Sequence, residues 1–393
     1  MTQSTYDVVI IGGGVIGSAV AYFLASHSNF QGRIAVLEKD PSYRFGSTGR
    51  SAGSIRQQFS TPENIEMSLF GIRFLKALPQ HLAVEGEVPD VQFQEKGYLF
   101  LATEAGLATL RTNHVTQEQL GADNALLAPT ELAERFPWIS LEGLAAGSLG
   151  LSMEGWFDPA SLLNAFRAKA RSLGADYLAA EAIGLERGTK RVSAVRLADG
   201  STLSCGAVVN AAGPRAAKVA GWAGLALPVR PRKRQVFQFA CREDLPDCPL
   251  VIDSNGVYFR PEGSGFICGV SPPEEADPDC LDFEIDHSIF EETLWPHLAM
   301  RVPAFEAIKP TGAWAGHYAY NTLDQNAILG PAPDVPNLYF ANGFSGHGLQ
   351  QSPAVGRAIT ELIVTGAYQT LDLSRFSYER VLRNAPLKEA NVV

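Results

Sequence analysis

Apolar residues near the start of the chain follow two different periods. Asp7 to Ile11 is a short β-branched run of the kind buried in a parallel sheet. Ile16 to Ser26 carries helical spacing, and Arg33 to Leu37 is a second apolar strand that ends at Glu38. Strand, glycine turn, helix and strand together predict a βαβ unit. Val8 to Phe30 contains no Asp, Glu, Lys or Arg and is about as long as a membrane helix requires. Gly12, Gly13, Gly14 and Gly17 interrupt that run, however, and Ser26, His27, Ser28 and Asn29 end it in polar groups. A buried strand and a buried helix are therefore expected there. Met1 to Asp7 lacks the positive charge with which a signal peptide opens, so a cytoplasmic place, at most peripheral to a membrane, is expected.

The pattern then changes. Gln92–Thr103 contains a hairpin-like Glu95-Lys96-Gly97, while Gln235–Phe239, Leu250–Asp253, Val257–Arg260 and Phe266–Val270 read as short strands. Ser254-Asn255-Gly256 and Glu262-Gly263-Ser264-Gly265 supply turns between them, which predicts an antiparallel meander. Pro159–Leu173 has helical spacing behind an Asp158 cap, and Leu203–Ala212 returns to the buried-strand pattern. Asn337–Ala341 reads as a strand, Gly343–Gly348 as a glycine-rich turn and Ser352–Thr365 as a helix. The expected fold joins α/β and α+β character: a discontinuous Rossmann-like domain from 1–85, 150–226 and 326–393, with an antiparallel β-sheet substrate domain from 86–149 and 227–325 inserted into it.

Composition narrows the class. The chain has 393 residues, with 42 acidic against 32 basic side chains and a formal net charge of −10, which argues against nucleic acid as a partner. The 37 Gly and 24 Pro are scattered, so they mark turns and not a disordered linker. Cys205, Cys241, Cys248, Cys268 and Cys280 form no Cys-x-x-Cys pair, so neither a disulfide framework nor a metal site is expected.

Gly12-x-Gly14-x-x-Gly17 lies between strand and helix, with Glu38 at the end of the next strand. The first glycine permits the tight turn and the second lets backbone approach a pyrophosphate. The third allows close helix packing, and the helix N-terminus favours phosphate charge. Glu38 would accept hydrogen bonds from a ribose diol. This context signals a dinucleotide without separating FAD from NAD. The second glycine-rich turn, Gly343-Phe344-Ser345-Gly346-His347-Gly348, opens a second helix. Its N–H groups would stabilise the negative edge of a reduced isoalloxazine ring, a need that an NAD enzyme does not have.

With Gly46-Ser47-Thr48-Gly49-Arg50-Ser51-Ala52-Gly53 and Val208-Val209-Asn210-Ala211-Ala212-Gly213, these turns make the chain resemble the D-amino-acid-oxidase-like (DAO) family of FAD-dependent oxidoreductases. That family includes sarcosine oxidase, glycine oxidase and D-arginine dehydrogenase, and the resemblance runs from Asp7 to about Phe376. Trp314-Ala315-Gly316-His317-Tyr318-Ala319-Tyr320-Asn321-Thr322 looks closer still to the subgroup of a mitochondrial FAD-dependent oxidoreductase-domain protein linked to complex I assembly. The resemblance implies an FAD site of Gly12, Gly14, Val15, Ile16, Gly17, Glu38, Lys39, Ser47, Thr48, Arg50, Ser51, Ala52, Gly53, Ala182, Ala212 and Gly213. Gly346, His347, Gly348, Leu349 and Gln350 would edge the flavin. Some relatives attach FAD covalently, through a His where this chain has Arg50 or a Cys near Gly316. Neither nucleophile is present, so non-covalent FAD is expected.

Oxidation of an amine beside a carboxylate needs a carboxylate clamp, for which Arg gives bidentate recognition. The resemblance places Arg234 and Arg56 at clamp positions, Tyr258 and Tyr318 at pocket positions, and His347 and Gln350 beside flavin or substrate. Lys96 aligns with an acid that selects cationic side chains, so it would favour neutral or acidic substrates. The expected reaction is oxidation of the C–N bond of an amino acid or N-substituted amino acid to an imine that hydrolyses. A 2-hydroxy-acid dehydrogenase and an FAD-binding assembly factor are the alternatives. Ile267 and Gln350 replace cations of sarcosine oxidase, which favours a quinone or other electron carrier over O2 as acceptor. A monomer or homodimer is compatible with all of this.

Overall fold

The computed structural model describes residues 4–390; residues 1–3 and 391–393, the ends of the first and last segments expected for the nucleotide-binding domain, lie outside the described residues. Two large sheets organise the chain. In the first, strands Val335–Asn342, Thr202–Asn210, Ser4–Ile11, Ile34–Glu38 and Asp176–Ala179 lie side by side in that order, each pair parallel. Ile328–Ala332 adds an antiparallel edge, and Val192–Leu197 with Ala182–Arg187 forms an antiparallel flap on Thr202–Asn210.

Alternation along the strands fills both faces. Val8, Ile10, Val36 and Val209 pack under helices Val15–Ser26, Pro159–Ser172 and Gly348–Thr365, through Val20, Phe166 and Ile359 among others. Val9, Ile11, Leu37 and Val208 pack the opposite face against helix Ala216–Trp222 through Ala216, Val219 and Ala220. Asp158 caps the second helix as expected, its Oδ1 accepting the Ser161 N–H at 2.5 Å with Pro159 at the first position.

Helix Gly348–Thr365 begins a turn earlier than the expected Ser352, with Pro353 inside it. A proline there cannot bond the Leu349 carbonyl, and the Ser352 hydroxyl donates to that oxygen instead at 2.9 Å. The helix thus survives its proline and begins on the glycine turn.

The second sheet runs in the order Lys309–Asn321, Val229–Ala240, Gly265–Gly269, Tyr258–Glu262, Leu250–Ile252, Tyr98–Ala102, Ala146–Gly150 and Asn124–Leu127. It is not wholly antiparallel as expected, because Leu250–Ile252 runs parallel to Tyr98–Ala102. Those strands come from segments far apart in sequence, so no hairpin dictates their relative direction. Phe237, Phe239, Phe259 and Phe305 pack one face with Leu294 and Leu298. Tyr98, Phe100, Trp156 and Tyr258 gather on the other.

The expected hairpin at Glu95–Gly97 is absent. Gln94 bridges to Trp156, Gly97 donates to the Glu154 carbonyl, and Gly97 takes φ +81°, which turns Glu95 and Lys96 out to solvent. Among the described residues no helix is long and apolar enough to cross a membrane.

Candidate cofactor cleft and active site

A cleft runs across the C-terminal ends of the parallel strands and under the second sheet, enclosing about 2110 Å³ with its open mouth. One wall is the first glycine turn. Gly12 has φ +106° and a Cβ there would stand 2.3 Å from the Ala211 carbonyl, while a Cβ on Gly17 would stand 1.9 Å from the Gly12 carbonyl. No side chain fits either position. Gly12, Gly14, Val15 and Ile16 line the cleft; Gly17 does not, and serves only helix packing.

The helix behind this turn has no acidic residue in its first turn and no side-chain cap. Its Val15 N–H donates to Thr48 Oγ1 at 3.1 Å, so a hydroxyl and the positive helix end face the same space. The Glu38 carboxylate accepts the Gly13 N–H at 3.0 Å and the Asp40 N–H at 2.9 Å, which fixes it at the strand end with lone pairs to spare. Lys39, Ala182, Ala212 and Gly213 surround that end of the cleft, with Arg215, Lys218 and Trp222, which sequence reasoning had not singled out.

Ser47, Thr48, Arg50, Ser51 and Ala52 form the middle wall, whereas Gly53 lies behind it against the Phe157 carbonyl. Arg50 spans the two sheets, donating from Nη1 to the Ala315 carbonyl at 2.7 Å and from Nε to the Arg44 carbonyl at 2.9 Å. Arg260, also unforeseen, is buried and donates from Nη2 to the Ala52 carbonyl at 2.6 Å. At the far end Phe344, Ser345, Gly346, Gly348 and Leu349 bring in the N-terminus of helix Gly348–Thr365, again without an acid in its first turn. A Cβ on Gly346 would stand 2.6 Å from the Tyr318 ring, so backbone alone fits there. Two helix N-termini, a strand-end carboxylate and glycine turns without room for side chains fit a long dinucleotide such as FAD.

The expected substrate residues fall into separate groups. Tyr258, Tyr318 and Arg234 line the cleft; Arg56, His347, Gln350 and Lys96 do not. Lys96 is exposed and lies outside the cleft lining, so its expected role in substrate choice is withdrawn. Arg234 is not a free clamp. Asp277 grips it in bidentate fashion, Nη1 to Oδ1 at 2.8 Å and Nη2 to Oδ2 at 2.7 Å, with side chains only 10% and 6% exposed. Asp277 belongs to an acidic loop laid along the basic strand Val229–Ala240, where Asp279 pairs with Arg232 at 3.0 Å and Asp282 with Lys233 at 2.8 Å. The matching charge blocks Arg230-x-Arg232-Lys233-Arg234 and Glu274-Glu275-Ala276-Asp277-x-Asp279 were the signal that could have revealed it.

Arg56 is different. Its backbone N–H donates to Gln350 Oε1 at 2.8 Å and its Nη2 lies 3.3 Å from His347 Nε2, while its Nε is buried without a partner. The guanidinium lies 4.3 Å from the Phe59 ring centre and 5.2 Å from that of Phe100. Burial and the Arg56 charge hold His347 down to about 3, so its imidazole is neutral and accepts from Arg56. Burial pushes the Tyr318 hydroxyl up, although Arg234, whose guanidinium lies 5.0 Å from the ring centre, and Arg56 both act the other way. Tyr258 is likewise pushed up by burial. Both phenols stay protonated and able to donate.

A parallel sheet with a dinucleotide cleft, roofed by an inserted sheet that carries buried arginines and tyrosines, defines a flavin-dependent oxidoreductase. The chain belongs to the DAO family of FAD-dependent oxidoreductases, whose model matches residues 7–362. It is 46% identical to FAD-dependent oxidoreductase domain-containing protein 1 of Xenopus laevis, across 98% of this chain and 85% of that protein. Glycine oxidase of Geobacillus kaustophilus is 28% identical across 95% of this chain and 97% of its own length. Among solved structures, L-proline dehydrogenase from P. horikoshii superposes with a TM-score of 0.86 at 27% identity, covering 98% of this chain and 100% of that one. FAD is accordingly the cofactor, and the relatives named for amino-acid substrates set the chemistry to be tested.

Proposed function

We propose that this oxidoreductase acts on the C–N bond of an amino acid or N-substituted amino acid, and that Arg56 holds the substrate carboxylate. The carrying observation is the contrast between the two arginines. The Nε of each is buried without a partner, but both terminal nitrogens of Arg234 are taken by the Asp277 carboxylate, whereas Arg56 has no carboxylate within salt-bridge distance among the described residues and its Nη2 meets only a neutral imidazole. A half-buried guanidinium with a free donor favours a carboxylate, since its charge and its fork would then be satisfied.

The residues lining the cleft from Glu38 through Gly12, Gly14, Val15 and Ile16 and Ser47–Ala52 to Gly346, Gly348 and Leu349 would hold FAD. When bound, its flavin takes up the two electrons and the hydrogen that leave the substrate carbon. The N-terminus of helix Gly348–Thr365 would favour the added negative charge. Tyr258 and Tyr318 would orient the amine, while Phe59, Tyr98 and Phe100 keep water from Arg56 and so strengthen its hold. His347 Nε2 is engaged by Arg56 and orients it, so a substrate amine would have to arrive neutral. The imine formed then hydrolyses in water.

Division at 1–85, 150–226 and 326–393 against 86–149 and 227–325 is part of the same proposal, supported by the sheet each strand joins. So are a cytoplasmic place and a quinone or other carrier as acceptor, the latter supported by Ile267, fully buried on strand Gly265–Gly269 in place of a cation.

Anaerobic addition of amino, N-methylamino and 2-hydroxy acids to the FAD-loaded protein is the test. Bleaching of the flavin by an amino or N-methylamino acid is expected. Bleaching by hydroxy acids alone would move the donor from C–N to C–O, and bleaching by none would favour a non-catalytic, partner-binding role. Acid precipitation should leave yellow flavin in the supernatant, since Arg50 and Gly316 stand where relatives carry covalent attachment; colour in the pellet would refute non-covalent binding.

A further inference from the structure

Glu154 lies outside the cleft lining, is 1% exposed, and is a carboxyl group for which the proposed reaction has no use. Its Oε1 accepts the Gln57 backbone N–H at 2.5 Å and its Oε2 the Gln58 Nε2–H at 2.8 Å. Both oxygens therefore hold the two residues that directly follow Arg56. The neighbouring strand is shaped to it, since a Cβ on Gly150 would stand 1.9 Å from Oε2. Gln57 also donates to the Met153 carbonyl at 2.9 Å, and Gln58 to the Tyr98 carbonyl at 3.1 Å, so the segment that follows Arg56 is fastened to the second sheet by these bonds together with the Glu154 carboxyl.

We propose that Glu154 is a positioning residue for Arg56: it fixes the turn that carries the guanidinium, and its charge state sets how strongly Arg56 attracts a substrate carboxylate. This rests on the reading of Arg56 as the clamp. Burial pushes the Glu154 carboxyl up to about 7, against the opposing pull of its hydrogen bonds and of Arg56. Below that value Glu154 is neutral and the Arg56 charge acts unopposed; above it a buried negative charge offsets Arg56. The other titratable groups around them do not change charge between pH 6 and 8. Tyr98 on the adjoining strand is pushed up to about 12 by burial, and His347 is held down to about 3. Against the upward push of burial, hydrogen bonds from Thr61, Ser60 and Asn64 hold the Glu389 carboxyl, which acts on His347, below its ordinary value.

The experiment uses the FAD-loaded protein, with acetate as an inert carboxylate, acetamide as its neutral counterpart, and the flavin absorbance change as the readout. In the wild type the acetate Kd should rise about five- to tenfold from pH 6 to pH 8, as expected for one charge gained near another in a low-dielectric site. Acetamide binding should stay flat. In Glu154→Gln the acetate Kd should be flat at the wild-type pH 6 value, because Gln58 can turn its amide to keep the turn fastened. A flat wild-type profile overturns the proposal without any variant. So does a Glu154→Gln profile like the wild type while Arg56→Gln abolishes acetate binding, an outcome that leaves the clamp standing. If Arg56→Gln binds acetate as the wild type does, or acetate never perturbs the flavin, the clamp itself falls and the role of Glu154 falls with it.

Discussion

Arg56→Gln should leave a yellow, folded protein that has lost about 100- to 1000-fold in kcat/KM toward its best amino-acid donor. Removing one partner of a desolvated, charge-assisted pair costs about 2–5 kcal/mol, and three aromatic rings flank the guanidinium here. The loss should sit mainly in substrate capture, with a smaller effect on an amine that has no carboxylate. FAD content should not change, because Arg56 does not line the cofactor cleft. Arg56→Lys should recover only part of the loss, since an ammonium supplies charge without the fork and cannot reach His347 and a carboxylate together. Steady-state kinetics on both donors with an artificial acceptor decide the matter. Unchanged kcat/KM for the amino acid would return the clamp to Arg234 or remove it from the protein.

The reasons for expecting these two arginines show what a sequence can disclose. The cofactor half was legible because its parts are local: a strand, three spaced glycines, a helix and an acid at the next strand end all lie between Asp7 and Glu38. The same held for the glycine turn before helix Gly348–Thr365, although Pro353 masked its first turn. The substrate half was not legible in the same way. Whether Arg234 is free depends on Asp277, which is 43 positions away and reaches it through a loop whose path no local pattern sets. Glu154 and Gln58 meet across 96 positions for the same reason. Lys96 illustrates the converse, since alignment gave it a role that one left-handed glycine beside it, Gly97, removed.

Loss of the Asp277 carboxylate should be the most destabilising single change at the substrate end. Asp277→Asn keeps the shape but leaves the Arg234 guanidinium buried without its counter-charge, and breaking a buried pair from one side costs about 3–5 kcal/mol. The chain has a way to escape part of that cost. The remaining ion pairs of the loop are weaker: Arg230 and Arg232 share Asp279 and Lys233 pairs with Asp282, acids that expose 47% and 54% of their side chains, so each pair is worth about 0–1 kcal/mol. The loop from Ser271 to Ser288 should therefore open locally, letting water reach Arg234, before the domain unfolds. Native-state proteolysis within that loop should accelerate by about 100-fold, while the urea midpoint of the FAD-loaded protein falls by less than the full pair energy implies. Restoring neutrality with Asp277→Asn and Arg234→Gln together should recover most of the protection, since no buried charge is then unpaired. Equal cleavage of wild type and Asp277→Asn would show that the pair does not hold the loop. If the loop does open, a freed Arg234 faces the cleft beside Tyr318, and acetate should bind the single variant more tightly than the wild type. That gain would identify Asp277 as the carboxylate that keeps the second arginine out of substrate binding.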